Sequence, residues 1–205
     1  MSRARLKESY KKFCAAEGNH HIASEYAILK LQELIDSFRV KSVLEVGLGI
    51  GAITGGLLSA NKHLLYSGTE ENAFCLDALK YNLAGSHERL EIFTGLVEVS
   101  GDKFDLLIID GKDVDLERVQ HLVATSGIIA IEGDRIPQQE LLRKYFPEHK
   151  YVHSISMRKN EEYSPFSPEH WQGGLKIIFV SPDFKQFMWW SKEKIKTKMK
   201  YYFRK

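Results

Sequence analysis

Gly47, Gly49 and Gly51 alternate with Leu48 and Ile50 just past a short apolar run, and Ala52 opens a stretch of helical character. Glycines at a strand-to-helix turn let the backbone bend tightly and let a ligand approach the main chain. The helix beyond offers unpaired N–H groups and a partial positive charge at its start. About twenty residues on, Glu70 and Glu71 end the next apolar run, where a carboxylate can accept both ribose hydroxyls of a nucleoside. The chemistry in view is therefore nucleoside binding. The glycines alone leave the nucleoside open, because Gly47-x-Gly49-x-x-Ala52 also satisfies the dinucleotide pattern. A tight turn with no ligand is the bland alternative, and the partner acids weigh against it.

Further acids close later apolar runs: Asp110, with Lys112 and Asp113 after it, and Glu132, with Asp134 after it. In an open α/β sheet, ligands bind outside the carboxyl ends of the strands. Glu45 to Gly51, Glu70, Gly95, Asp110 and Glu132 all fall at or near such ends.

The elements that must position these groups follow from the apolar pattern. Helices are expected over 3–16, 22–38, 51–60, 72–84, 114–124 and 137–145. Strands are expected over 41–47, 64–69, 90–94, 104–109, 127–131, 151–157 and 175–180. Strands alternating with helices imply right-handed crossovers and a parallel sheet. The stretch 158–174 between the last two strands is polar, contains proline and lacks a helical pattern, which favours an antiparallel return at a sheet edge. The expected fold is a Rossmann-like α/β domain: seven strands, mostly parallel, an antiparallel last strand, and helices on both faces. Residues 1–40 supply N-terminal helices of the same domain and a candidate substrate cap, 41–184 the nucleoside-binding body, and 185–205 a basic aromatic tail.

The segment VLEVGLGIG at 43–51 resembles motif I of class I S-adenosylmethionine-dependent methyltransferases, E/D-x-G-x-G-x-G, with Glu45 as its acid. The likeness continues in family order through YSGTEEN at 66–72, DALKYNL at 77–83, KFDLLIIDG at 103–111, SGIIAIE at 126–132 and GGLKIIFV at 173–180. It implies that Gly47, Gly49 and Gly51 line the methionine part of the cofactor and that Glu45 orients this loop and the amino end. It also implies that Glu70 holds the ribose with Glu71 and Asn72 beside it, that Gly95 and Leu96 lie near the adenine, and that Asp110 stands at the mouth of the transfer site.

The segment from Gly95 to Lys103 is short where most relatives carry a helix, so a loop is expected at the adenine wall. Cation-dependent, catechol-type relatives carry a metal-binding Asp at the fourth strand and Asp-Asn at the fifth. This chain has Glu132-Gly133-Asp134 there, and Asp110, Asp113, Glu132 and Asp134 could assemble oxygen ligands for Mg²⁺. No metal is assigned, the alternative being solvated or hydrogen-bonded carboxylates.

Methyl transfer is an in-line displacement that needs alignment and, for a hydroxyl acceptor, a base. The candidates are Asp110, Lys112 and Asp113. The reaction implied is O-methylation of a small molecule or glycan by S-adenosylmethionine. A nicotinamide-dependent oxidoreductase and a non-catalytic nucleotide-binding protein remain the rival readings. His20, His21 and Glu25 have a spacing that can suggest a metal, though a loop before a helix or a substrate contact is the favoured reading. The aromatic segment 158–172, with Tyr163, Phe166, His170 and Trp171, suits an acceptor lid or a self-packed surface loop.

Composition sets the outer bounds. The 205 residues suit one domain, 43% hydrophobic and 27% charged. Cys14 and Cys75 stand far apart, which fits a reducing, cytoplasmic setting. The net charge of +2 hides an asymmetry: residues 185–205 hold eight bases and one acid, and the rest of the chain 21 bases and 26 acids. Met188, Ile195, Met199 and Tyr202 align on one helical stripe among lysines. That pattern suits a membrane surface through 187–205, docking on its own or a sister domain, or, as the weakest alternative, RNA phosphates. A homo-oligomer is compatible with it.

Overall fold

The computed structural model describes residues 2–101 and 103–204, so Met1, Asp102 and the tail residue Lys205 lie outside it. In chain order the elements are α1 (Ser2–Cys14), α2 (Glu25–Phe38), β1 (Ser42–Val46), α3 (Ala52–Ala60), β2 (Leu65–Thr69), α4 (Ala73–Leu83) and β3 (Leu90–Phe93). They continue as β4 (Phe104–Ile109), α5 (Val119–Leu122), β5 (Val123–Glu132), α6 (Ile136–Tyr145), β6 (Lys150–Ile155), β7 (Gly174–Phe179) and α7 (Phe184–Phe203).

The strands form a seven-stranded sheet in the order β3-β2-β1-β4-β5-β7-β6. The first five run parallel, and β7 lies antiparallel between β5 and the edge strand β6. The Rossmann-like sheet expected from the apolar runs is therefore present, with its antiparallel last strand. Alternation along the strands divides the interior in two. Val43, Leu106, Ile108, Ile128, Ala130 and Ile177 face a core shared with α1 to α4. Leu44, Val46, Leu107, Ile109, Ile129 and Ile131 face the other core, with α5, α6 and the turn at Leu96–Glu98. Burial on both faces explains why the central strands read as unbroken apolar runs.

Helix starts follow capping chemistry. The second helix begins at Glu25 rather than residue 22, because the Ser24 hydroxyl accepts the Ala27 amide at 3.2 Å. Asn72 caps α4 through the Cys75 amide, also at 3.2 Å. The largest departure from expectation is the helix over 114–124, which is reduced to a 3-10 turn (Leu116–Arg118) and the four residues of α5. The chain from Val123 is drawn into β5, where Val123 pairs with Phe104 before a register shift leads to the Ile128–Leu106 pair. β-branched Val123 and Thr125 beside an open strand edge favour pairing over another helical turn. The N-terminal helices belong to the same body: Leu6, Tyr10 and Phe13 are buried in the larger core.

Candidate active site

The three glycines do different work. All have positive φ: 86° at Gly47, 54° at Gly49 and 92° at Gly51. At Gly47 a Cβ would lie 2.4 Å from the Gly111 Cα, so the exits of β1 and β4 touch backbone to backbone. At Gly51 a Cβ would meet Leu79 at 2.8 Å, which makes that glycine a packing and capping position on the core side. A Cβ at Gly49 would meet nothing within 4 Å, since this glycine opens onto the cavity. The loop is held by the Thr69 carbonyl, which accepts the amides of Gly47 (3.1 Å) and Leu48 (3.0 Å).

Glu70 sits opposite. Its Oε2 accepts the Gly49 amide at 2.7 Å. Its Oε1 accepts the amides of Glu71 (3.0 Å) and Asn72 (2.9 Å). Glu71 also lines the cavity, whereas Asn72 spends its side chain on the α4 cap.

Glu45 is buried beneath the loop. Its Oε2 accepts the Thr54 hydroxyl at 2.6 Å and the Tyr66 hydroxyl, while its Oε1 has no partner among the described residues. Burial pushes this carboxyl up to about 7, against the lowering effect of its two hydroxyl donors. A buried oxygen left free beside a glycine cradle is the kind of acceptor that a ligand's ammonium group satisfies. Tyr66 escaped sequence reasoning. It pairs in register with Val43, and alternation sets it on the same sheet face as Glu45.

At the carboxyl ends of β4 and β5, Asp110 and Glu132 stand close enough for their charges to act on each other. Burial raises the Asp110 carboxyl well above the ordinary range, Glu132 and Glu45 raise it further, and Arg135 opposes them. Burial likewise raises Glu132, against a hydrogen bond from the Ser24 backbone and the Arg135 charge. The pair therefore tends to hold a shared proton. Arg135 clamps it: the guanidinium lies 3.5 Å from Asp110 Oδ1, donates to the Asp110 carbonyl, and donates to the Glu132 carbonyl at 3.1 Å. No apolar period or motif marks Arg135, so nothing in the sequence pointed to it.

Asp113 accepts the Leu96 amide at 2.9 Å through Oδ2 and the Asp115 amide at 2.8 Å through Oδ1. It ties the turn after β3 to the loop after β4. The loop expected at the adenine wall is this 3-10 turn. Gly95 faces the cavity, but the Leu96 side chain is fully buried in the second core, so only its backbone is near. Lys112 is exposed on the cavity wall.

The four carboxylates considered for Mg²⁺ do not converge. Both Asp113 oxygens are taken by backbone amides, and Asp134 is exposed near Lys176 at 3.8 Å. Among the described residues no group of three or more His, Cys, Asp or Glu side chains has metal-binding geometry. Glu25 turns from His20 and His21 toward Lys7 (3.2 Å) and the Tyr163 hydroxyl (2.6 Å).

Gly47, Gly49, Glu70, Asp110, Lys112 and Arg135 are among the residues bordering a cavity of about 1440 Å³, above the roughly 300–1,000 Å³ of a single-ligand pocket, whereas Glu45, Gly51 and Asn72 lie behind its lining. One wall is the glycine loop with Glu70, Gly95 and Asp113. The other is His20, His21 and Ser24 before α2, with Phe166, His170 and Trp171 from the loop between β6 and β7. That loop both packs on the body, with Tyr163 edge-on to Tyr10 at 6.4 Å, and lines the cavity.

The strand order and the layers of helices on both faces are those of a Rossmann-like methyltransferase fold. Solved structures sharing it include cofactor-bound Rv0187 from MTB (TM-score 0.62, 18% identity, covering 88% of this chain and 91% of that one). The O-methyltransferase from Bacillus cereus in complex with SAH superposes similarly (TM-score 0.61, 17% identity, 86% and 90% covered). So does the O-methyltransferase TomG from Streptomyces achromogenes in complex with SAM (TM-score 0.57, 11% identity, 88% and 89% covered). No protein-family model and no curated protein matches the sequence.

Proposed function

We propose that this chain is an S-adenosylmethionine-dependent methyltransferase acting on a hydroxyl of a small molecule or glycan. The observation that carries the reading is Glu70 hydrogen-bonded to the open glycine Gly49 on one wall of a cavity large enough for two reactants. When bound, the cofactor supplies a methyl carbon on a sulfonium for in-line displacement. Glu70 accepts the ribose hydroxyls, Gly47 and Gly49 pass the methionine part along bare backbone, and the free Glu45 Oε1 receives the amino end. Gly95 and the backbone of Leu96 border the adenine, with Glu71 at the rim; Gly51 and Asn72 support the loop and α4 from behind.

Asp110, with Glu132, is the preferred proton acceptor, because the pair is at the transfer end and titrates above ordinary carboxylates. Lys112 faces the acceptor side as a second candidate. Asp113 acts as a positioning residue, since it ties the turn after β3 to the loop after β4. The segment 20–24 and the loop 158–172 would cap the acceptor. Among the described residues no helix is long and apolar enough to cross a membrane. A cytoplasmic setting belongs to the same proposal, resting on free Cys14 and Cys75.

The deciding experiment is titration calorimetry with S-adenosylhomocysteine and, separately, NADH. Binding of the first alone is expected. Binding of NADH alone would replace the reading with an oxidoreductase, and binding of neither would remove the cofactor assignment.

A further inference from the structure

The helix α7 has two apolar faces, and the fold uses one. Its inner face docks through Trp189, Trp190, Glu193 and Thr197. The Trp190 indole N–H donates to the Tyr151 carbonyl at 2.8 Å, and Glu193 is buried against Lys30 at 3.3 Å. Trp189 packs edge-on to Phe179 and Phe38, with ring centroids at 5.6 and 6.0 Å. A capping box at Asp183 and Gln186 starts the helix. This side alone accounts for its position.

The opposite side is the unexplained one. Phe184, Met188, Ile195, Met199 and Tyr202 recur at helical spacing and form one stripe along the helix, about 30 Å long at 1.5 Å per residue. They are 80%, 53%, 64%, 55% and 74% exposed, so none of the described residues covers them. At 100° per residue the stripe is centred roughly opposite buried Glu193. Exposed Lys185, Lys192 and Lys196 flank it on one side, and Lys194 and Lys198 on the other.

We propose that this outer face of α7 lies on an anionic lipid surface, apolar stripe down and lysines at headgroup level. Charge complementarity selects this occupant. Glu193 is the one acid of α7, and it is buried, so two copies joined through this face would set lysine against lysine with no acid from either helix. RNA would engage the lysines and leave the stripe in water. An anionic bilayer satisfies both features.

The C-terminal end of the helix also reaches the cavity wall. The Arg204 guanidinium donates to the carbonyls of Ser156 and Gln172 and lies 5.0 Å from the centroid of the Trp171 ring, which lines the cavity. Docking of α7 would thus bring the cavity rim near the lipid. The inference does not rest on the methyl-transfer reading.

The test is co-sedimentation of the full chain with neutral phosphatidylcholine vesicles and with vesicles containing phosphatidylserine. Binding is expected only to the anionic vesicles, with reversal by salt. Ile195→Glu/Met199→Glu and, separately, Lys192→Glu/Lys198→Glu should each weaken it at least about tenfold, with thermal melting unchanged because all four side chains are exposed. Absence of vesicle binding overturns the proposal, as does equal binding to neutral vesicles. Full binding by folded double variants does so too. A dimer dissolved by Ile195→Glu/Met199→Glu without vesicle binding would assign the face to a second copy, and binding to single-stranded RNA without vesicle binding would assign it to nucleic acid.

Discussion

Glu70 Oε2 accepts the Gly49 amide at 2.7 Å, which joins the exits of β1 and β2 at the point where a ribose would enter. Replacing Glu70 by Ala removes the acceptor for two hydroxyls. Affinity for S-adenosylhomocysteine should fall by about 2 kcal/mol or more, roughly thirtyfold, in titration calorimetry. Unchanged affinity would move the ribose away from this carboxylate.

The glycines should separate by experiment. Gly47→Ala forces a Cβ to within 2.4 Å of the Gly111 Cα at a φ of 86°. Urea denaturation should show a loss of about 3 kcal/mol or more. Gly49→Ala meets no atom within 4 Å, so only the strain of its positive φ is felt, about 1 kcal/mol. Its main effect should be on cofactor affinity, through the cradle wall.

Glu45 predicts a pH dependence. Its carboxyl titrates near 7 in the fold against 4.5 as its ordinary value. The folded state therefore binds more protons across that window, and stability without cofactor falls as pH rises from about 4.5 to about 7. The shift corresponds to about 3 kcal/mol. Asp110 and Glu132 are raised as well and act with the same sign. Glu45→Gln should flatten the slope in pH-resolved urea melts without abolishing it. A steeper slope in the variant would contradict the assignment.

Arg135 opposes the rise of the Asp110–Glu132 pair. Arg135→Met removes that cation, so the pair should hold its proton to higher pH. The acid limb of the kcat/KM profile for methyl transfer should move upward. Arg135→Lys should restore part of the shift. An unmoved limb in both variants would take the pair out of the proton transfer.

Asp113 distinguishes anchoring from catalysis. Asp113→Ala releases the Leu96 and Asp115 amides. A raised KM for the cofactor with kcat largely kept is the expected result of loosening the turn after β3. Loss of kcat with KM unchanged would make Asp113 a base instead.

What the sequence determined by itself is the sheet and the rim of glycines and acids at the carboxyl ends of its strands. Unbroken apolar runs such as 104–109 are the consequence of strands buried on both faces, and glycines and acids at their ends are local signals, readable from spacing. The helix expected over 114–124 shows the limit, because its fate depended on whether Val123 found a strand edge at Phe104, a partner remote in sequence. The same applies to the chemistry. Asp110, Asp113, Glu132 and Asp134 look alike along the chain, yet only the tertiary structure turned Asp113 onto two backbone amides, left Asp134 in solvent, and pressed Asp110 and Glu132 together under Arg135. Burial and pairing set the protonation of a carboxyl, and both are properties of the packed neighbourhood, not of the residue.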